Sequence, residues 1–204
     1  MGSVCILDYG SGNVKSVFNL FSTIAKHIVI SNDPEEIRQA THIVLPGVGA
    51  FSAAMRKIRE RLPMEVLEQA VLSDKKPFLG ICVGMQVLAT RGMEFGEYLG
   101  LGWIGGSVEK VNSKHFPLPH IGWNKTSCKR DSPLLAGLGD DPDFYFVHSY
   151  AFRLENEQHM LAITSYGEEF CSVVQRENIY GVQFHPEKSQ RTGIKLVKNF
   201  LSLS

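Results

Sequence analysis

Pro77-Phe78-Leu79-Gly80-Ile81-Cys82-Val83-Gly84-Met85-Gln86 is the stretch on which the fold turns. An apolar run ends in Gly-x-Cys-x-Gly and passes straight into a helix-compatible segment, the pattern of a nucleophile elbow on a cramped strand-to-helix turn. Gly80 and Gly84 flank the cysteine because a Cβ at either place would collide with a neighbouring strand or helix. Such a turn pushes the thiol of Cys82 into the open at a helix N-terminus, where the macrodipole favours thiolate over thiol. On this stretch alone, a small core cysteine with incidental glycines is an equal reading, since free cysteine is among the most buried residue types.

A second stretch far along the chain shifts that balance. Tyr180-Gly181-Val182-Gln183-Phe184-His185-Pro186-Glu187-Lys188 reads as a strand over 180–184 with His185 and Glu187 at its exit. Extended residues two apart project to the same side. Pro186 fixes its own φ and biases His185 toward extended geometry. Glu187 would then accept a hydrogen bond from one ring nitrogen of His185, leaving the other to take the proton of Cys82. His-Pro-Glu by itself is more often a turn with a solvated acid; beside a cysteine elbow it reads as a base and its orienting carboxylate.

The 204 residues are 44% hydrophobic and 21% charged, with formal net charge +0. The length suits one compact α/β domain with a sizeable core. Balanced charge argues against a nucleic-acid surface or a polybasic membrane patch. No apolar run approaches membrane-spanning length, and no cleavable leader pattern opens the chain. Cys5, Cys82, Cys128 and Cys171 are scattered without a Cys-x-x-Cys, so neither a disulfide framework nor a zinc site is expected. His115 and His120 have no partners at ligand spacing. A cytoplasmic protein with no metal and no cofactor is the expectation.

Along the first half, strand and helix patterns alternate. Val4–Leu7 is a short apolar run stopping at Asp8-Tyr9-Gly10-Ser11-Gly12-Asn13, and helical periodicity follows from Val14 to Ala25. The third glycine of a dinucleotide fingerprint would fall on Lys15, which disfavours that reading. The loop nonetheless lies at the carboxyl edge where ligands bind in such folds. His27–Ile30 and His42–Leu45 read as strands. Asp33-Pro34-Glu35-Glu36 reads as a helix start. Helical periodicity runs over 52–73, broken at Pro63, and again over roughly 84–91. This alternation predicts a parallel sheet. Residues 103–184 carry short extended runs at Ser107–Val111, Asp143–Val147, Met160–Thr164, Cys171–Gln175 and Tyr180–Phe184. They predict a mixed or antiparallel extension of the same sheet, with a closing helix over 193–203.

Acyl transfer through a thioester needs N–H donors aimed at the oxygen that becomes negative. Val83, the residue after the nucleophile, offers one. The loop Pro46-Gly47-Val48-Gly49 is the best candidate for the second, at Val48, because its glycines permit close approach and a rotating peptide plane. Gln86 lies one helical turn beyond Cys82, and its amide would read either a polar substrate end or solvent. Phe146-Val147-His148-Ser149-Tyr150 ends a further strand and offers backbone contacts. His148 reads as a hydrogen-bonded structural histidine more readily than as a second base.

With these motifs in view, the chain resembles the class I glutamine amidotransferases. The resemblance rests on Leu45-Pro46-Gly47-Val48-Gly49, Gly80–Gln86 and Gly181–Glu187. Within that family it is similar to the glutaminase subunits of imidazole glycerol phosphate synthases. Leu7-Asp8-Tyr9-Gly10-Ser11-Gly12-Asn13, Pro117-Leu118-Pro119-His120-Ile121-Gly122-Trp123-Asn124 and Tyr145–Tyr150 carry that narrower likeness. It implies a single-domain, three-layer α/β fold over residues 1–204, with a largely parallel sheet, an antiparallel extension and helices on both faces. It implies hydrolysis of L-glutamine by Cys82, His185 and Glu187, with glutamine held near Gly49, Gln86, His148, Ser149 and Tyr150. It further implies a heterodimer with a (β/α)8-barrel cyclase subunit that receives the ammonia, with Asn13, Trp123, Tyr145 and Lys188 at the docking face. Three alternatives stay open: the same chemistry for another acceptor synthase, a thioesterase, and a non-enzymatic reactive-cysteine protein. The thioesterase fold places its acid before the histidine in chain order, unlike Glu187 here.

Overall fold

The computed structural model describes residues 2–204. In chain order the first half contains β1 (Ser3–Leu7), α1 (Val14–Ser22), β2 (His27–Ser31), α2 (Pro34–Gln39), β3 (His42–Gly47), α3 (Phe51–Arg61), α4 (Met64–Glu68), β4 (Phe78–Cys82) and α5 (Val83–Gln86). Asp33 caps α2, its side chain accepting from the N–H groups of Glu35 and Glu36. Pro63 separates α3 from α4, as the broken periodicity predicts, and α4 runs on into a π-helical turn at Gln69–Ser73.

β2, β1, β3 and β4 lie side by side in that order and pair in parallel. Every residue of β3 and β4 is buried, the expected state of strands covered on both faces. The path from β1 to β2 runs one way along the sheet, while those from β2 to β3 and from β3 to β4 run the other. Right-handed crossovers therefore set α1 on one face and α2, α3 and α4 on the other.

The second half adds β5 (Arg91–Gly92), β6 (Tyr98–Leu99), β7 (Gly106–Lys110), β8 (His120–Lys125), β9 (Ser127–Cys128), β10 (Asp143–His148), β11 (Tyr150–Leu154), β12 (Met160–Tyr166), β13 (Glu168–Arg176), β14 (Ile179–Val182) and α6 (Gln190–Phe200). β14 slots in parallel beside β4, and β13, β11 and β7 continue the same sheet antiparallel. The nucleophile strand thus sits centrally, between β3 and β14. Phe21 of α1 meets Phe200 of α6 edge-on, with ring centroids 6.3 Å apart, so α6 covers the face of α1.

Four expectations need correction. The run at 143–147 does not extend the main sheet; as β10 it pairs antiparallel with β8 in a separate two-stranded ribbon. Its alternation buries Phe144, Phe146 and His148 beneath the ribbon, and this sided burial decides where it packs. The helix expected over 84–91 is a single turn, because the buried chain turns away at Val87. The closing helix begins at Gln190 rather than 193. Finally, Glu187 lies in the 3-10 turn Pro186–Lys188, not on an extended continuation of β14. Among the described residues no helix is long and apolar enough to cross a membrane.

Candidate active site

Cys82 ends β4 with φ 54° and ψ −111°, a conformation that non-glycine residues rarely hold and that costs about 1–3 kcal/mol. The glycines around it explain how the backbone can get there. A Cβ on Gly84 would lie 1.9 Å from the Leu45 carbonyl oxygen, and one on Gly80 would lie 2.4 Å from that of Gly84. β3, β4 and α5 meet at a spacing that only hydrogen side chains permit. Since α5 spans one turn, the macrodipole contributes less than the sequence suggests. What α5 does provide is the N–H of Val83 at its first position, which has no partner within a helix.

β14 delivers the partners of the thiol. His185 lines the same cleft as Cys82, close enough for the thiol to shift its pKa, and its Nδ1 lies 2.8 Å from Glu187 Oε1. Both side chains are buried. Burial opposes charge on His185, but the contacts with Cys82 and Glu187 outweigh it and raise the pKa to about 10. Burial would likewise push Glu187 up; the His185 bond and charge, with a 3.1 Å bond donated by Asn13 Nδ2, hold it below the ordinary carboxylate value. The His185 turn is stitched to β10. The N–H of His185 donates to the Tyr145 carbonyl at 2.8 Å, and the Ser189 hydroxyl accepts from Tyr145 N–H and donates to the His185 carbonyl.

These groups open into a cleft of about 490 Å³ whose lining includes Val48, Gly49, Cys82, Val83, Gln86, Glu94, Lys110, His148, Ser149, Tyr150, His185 and Lys188. That volume falls in the range of small-molecule sites. Gly49 holds φ +92°, a left-handed geometry that glycine adopts without strain. Gln86 spends both amide N–H groups on the Tyr150 carbonyl, at 2.9 Å, and on Gln183 Oε1, at 3.1 Å. Its Oε1 is the atom left to accept from a ligand.

The side chain of His148 is fully engaged by protein. The Tyr150 carbonyl, 2.9 Å from Nδ1, can only accept, so Nδ1 carries the proton and Nε2 accepts from His120 Nδ1 at 3.0 Å. Asn124 Nδ2 closes the relay on His120 Nε2 at 3.2 Å. Burial lowers the pKa of His148 to about 3 and of His120 to about 4, so both rings are neutral. His148 is thus a structural ring in the cleft wall and offers ligands its backbone.

Trp123, Tyr145 and Lys188 gather on one face. Trp123 meets Tyr145 edge-on at 6.0 Å, and Lys188 Nζ stands 5.5 Å from the centre of the same Tyr145 ring. Asn13 is buried and donates to Glu187. Three residues with no role in the sequence reading also enter. Gln183 Nε2 donates to Cys82 Sγ at 3.7 Å. Lys110 lines the cleft, as does Glu94, whose Oε2 accepts from Phe51 N–H at the start of α3. The one cue for Gln183 was a polar residue inside an apolar strand; nothing local marks Glu94 or Lys110.

A cysteine on a left-handed elbow between parallel strands, facing a histidine and a glutamate from the end of the neighbouring strand, places the chain in a known class. It belongs to the class I glutamine amidotransferases: the profile of the family described as "Glutamine amidotransferase class-I" matches residues 5–203. The chain is similar to the imidazole glycerol phosphate synthase subunit HisH of Leptospira borgpetersenii, at 43% identity over 202 residues, or 97% of this chain and 98% of that one. It is 46% identical over 205 residues to the protein of the same name in Zymomonas mobilis subsp. mobilis, covering 98% of this chain and 95% of the relative. A chain of the structure of PurLQS from Thermotoga maritima shares the fold, with a TM-score of 0.76 at 17% identity over 98% of both chains.

Proposed function

We propose that this chain is the glutaminase subunit of an imidazole glycerol phosphate synthase. In this reading it releases ammonia from L-glutamine and passes it to a (β/α)8-barrel cyclase subunit bound as a heterodimer in the cytoplasm. The observation that carries the chemistry is Cys82 and His185 lining one cleft, with Glu187 Oε1 2.8 Å from the ring's Nδ1. The near full-length relatives named for that synthase carry the choice of pathway.

His185 takes the thiol proton, and Cys82 Sγ attacks the side-chain amide carbon of glutamine. The carbonyl oxygen becomes negative and is received by the N–H groups of Val83 and Val48. Collapse of that intermediate breaks the C–N bond, and ammonia leaves with the proton from His185. Water then gives a proton to His185 and attacks the thioester; glutamate departs, and the proton returns to Cys82. Glu187 holds the His185 tautomer and stabilises the imidazolium throughout. Glutamine is gripped by the backbone of Gly49, His148, Ser149 and Tyr150 and by Gln86 Oε1. Its zwitterionic end carries both charge signs, which Glu94 and Lys110 on the cleft wall complement. Trp123, Tyr145 and Lys188 form the exposed docking face beside the cleft, with Asn13 behind the triad on the ammonia side.

The test is glutamate release from glutamine by the chain alone, and with a cyclase subunit and its nucleotide ligand. Strong stimulation by the partner supports both halves of the proposal. Activity stimulated only by a different acceptor synthase overturns the pathway and keeps the chemistry. No release under any condition overturns both.

A further inference from the structure

The loop between β1 and α1 touches two separate parts of the catalytic apparatus. At one end, the Tyr9 hydroxyl donates to the Pro46 carbonyl at 2.8 Å. Pro46 lies two residues before Val48, on the segment that carries the second oxyanion donor. Gly47 is what makes the approach possible: a Cβ there would lie 2.9 Å from the Tyr9 oxygen and 2.5 Å from Gly84 N. At the other end, Asn13 Nδ2 donates to Glu187 Oε1 at 3.1 Å. Ser11 stands between them. Its hydroxyl donates to Asn13 Oδ1 at 2.8 Å and so orients the amide that meets Glu187. Tyr9, Ser11 and Asn13 are all buried, so water does not substitute freely for any of these partners.

The residue types fit the positions closely. Pro46 has no N–H, so its peptide is held on this side through its carbonyl. The phenol reaches that carbonyl from a buried ring that Phe could replace without its hydroxyl. Asn13 must accept from Ser11 and donate to a carboxylate at once, which a short amide does and a carboxylate cannot. Asp at this place would set two carboxylates against each other.

We propose that the β1–α1 loop is a tether, holding the oxyanion segment through Tyr9 and the Glu187 carboxylate through the Ser11-oriented Asn13, with Tyr9 and Asn13 as positioning residues for glutamine hydrolysis. The proposal rests on the glutaminase reading above. The two ends of the tether act on different steps, which makes them separable. Tyr9 acts on the oxyanion site, used only when a carbonyl is attacked. Asn13 acts through Glu187 and His185 on the reactivity of the thiol itself.

The experiment compares wild type, Tyr9→Phe, Asn13→Ala and the double variant as the complex with the cyclase subunit. Two rates are read: glutamine turnover, and alkylation of Cys82 by iodoacetamide, which needs the thiolate but no oxyanion site. Tyr9→Phe is expected to lower kcat by roughly tenfold with KM within about twofold, and to leave alkylation at the wild-type rate. Asn13→Ala is expected to lower both rates. The double variant is expected to lose about the product of the two single losses, because the two contacts share no hydrogen bond. Unchanged kcat in Tyr9→Phe, or equal losses of kcat and alkylation in that variant, overturns the tether. A wild-type complex that alkylates but does not hydrolyse glutamine overturns the underlying reading instead, and the tether's catalytic role with it.

Discussion

Two buried donors converge on a single oxygen of Glu187: His185 Nδ1 lies 2.8 Å from Oε1 and Asn13 Nδ2 lies 3.1 Å from it, while Oε2 is buried with no hydrogen-bond partner. The carboxylate is therefore held in one orientation, with its charge directed at the imidazole. An amide in its place cannot reproduce this, because its oxygen carries no full charge to set against the imidazolium and its NH₂ would be buried where Oε2 has no partner. Glu187→Gln is expected to lower kcat by up to about 10⁴-fold without abolishing it, since the elbow and the oxyanion donors remain. Steady-state glutamate release by the complex checks this.

Cys82→Ala removes the proposed nucleophile and one of the two groups that raise the His185 pKa. Glutamine hydrolysis is expected to vanish while the fold and partner binding persist. The His185 imidazole is expected to titrate at lower pH than in wild type, followed by NMR of ring-labelled protein. Full hydrolysis in this variant would end the covalent mechanism.

The histidines set the pH window of stability from opposite sides. His185 is raised from 6.5 to about 10 in the folded state, so its contribution is complete below 6.5 and is lost as pH climbs toward 10. His148 and His120 are lowered from 6.5 to about 3 and about 4, so theirs is complete above 6.5 and is lost as pH falls toward those values. From these groups stability peaks near pH 6.5. Thermal melts should show wild type losing its advantage over His185→Gln between about pH 6.5 and 10. On the acid side, His148→Gln should lose Tm less steeply than wild type.

The elbow tolerates no extra atoms. A methyl group on Gly84 would meet the Leu45 carbonyl at 1.9 Å, and both partners are central backbone with nowhere to move. Gly84→Ala is expected to cost about 3 kcal/mol or more in denaturant unfolding. Gly49→Ala is the control, because nothing lies within 4 Å of a Cβ there. It should lose less stability, limited to the strain of its φ of +92°.

Wherever the signal was local, the sequence was legible. Alternating apolar runs and helical periods announced the parallel half, and Gly-x-Cys-x-Gly announced the elbow, because sterics between adjacent residues dictate both. The ribbon was not legible: His120, Gly122 and Asn124 interrupt the pattern of β8, whose strand geometry comes from pairing with β10. Gln183 carries only the faint local mark of a polar residue in an apolar run, since its value lies in the two partners it meets in space, Gln86 and Cys82.

The sequence by itself determined the kinds of groups present, a cysteine forced onto a tight turn and a histidine stiffened by the proline after it, because these follow from covalent geometry within a few residues. Tertiary structure alone decided which groups meet. Asn13 reaches Glu187 across a separation of 174 residues, Tyr9 reaches Pro46 across 37, and His120 donates its hydrogen bond to His148 rather than to a ligand. Such pairings depend on the order and stagger of strands in the sheet, and that order is selected by the total burial of the core, to which no single segment testifies.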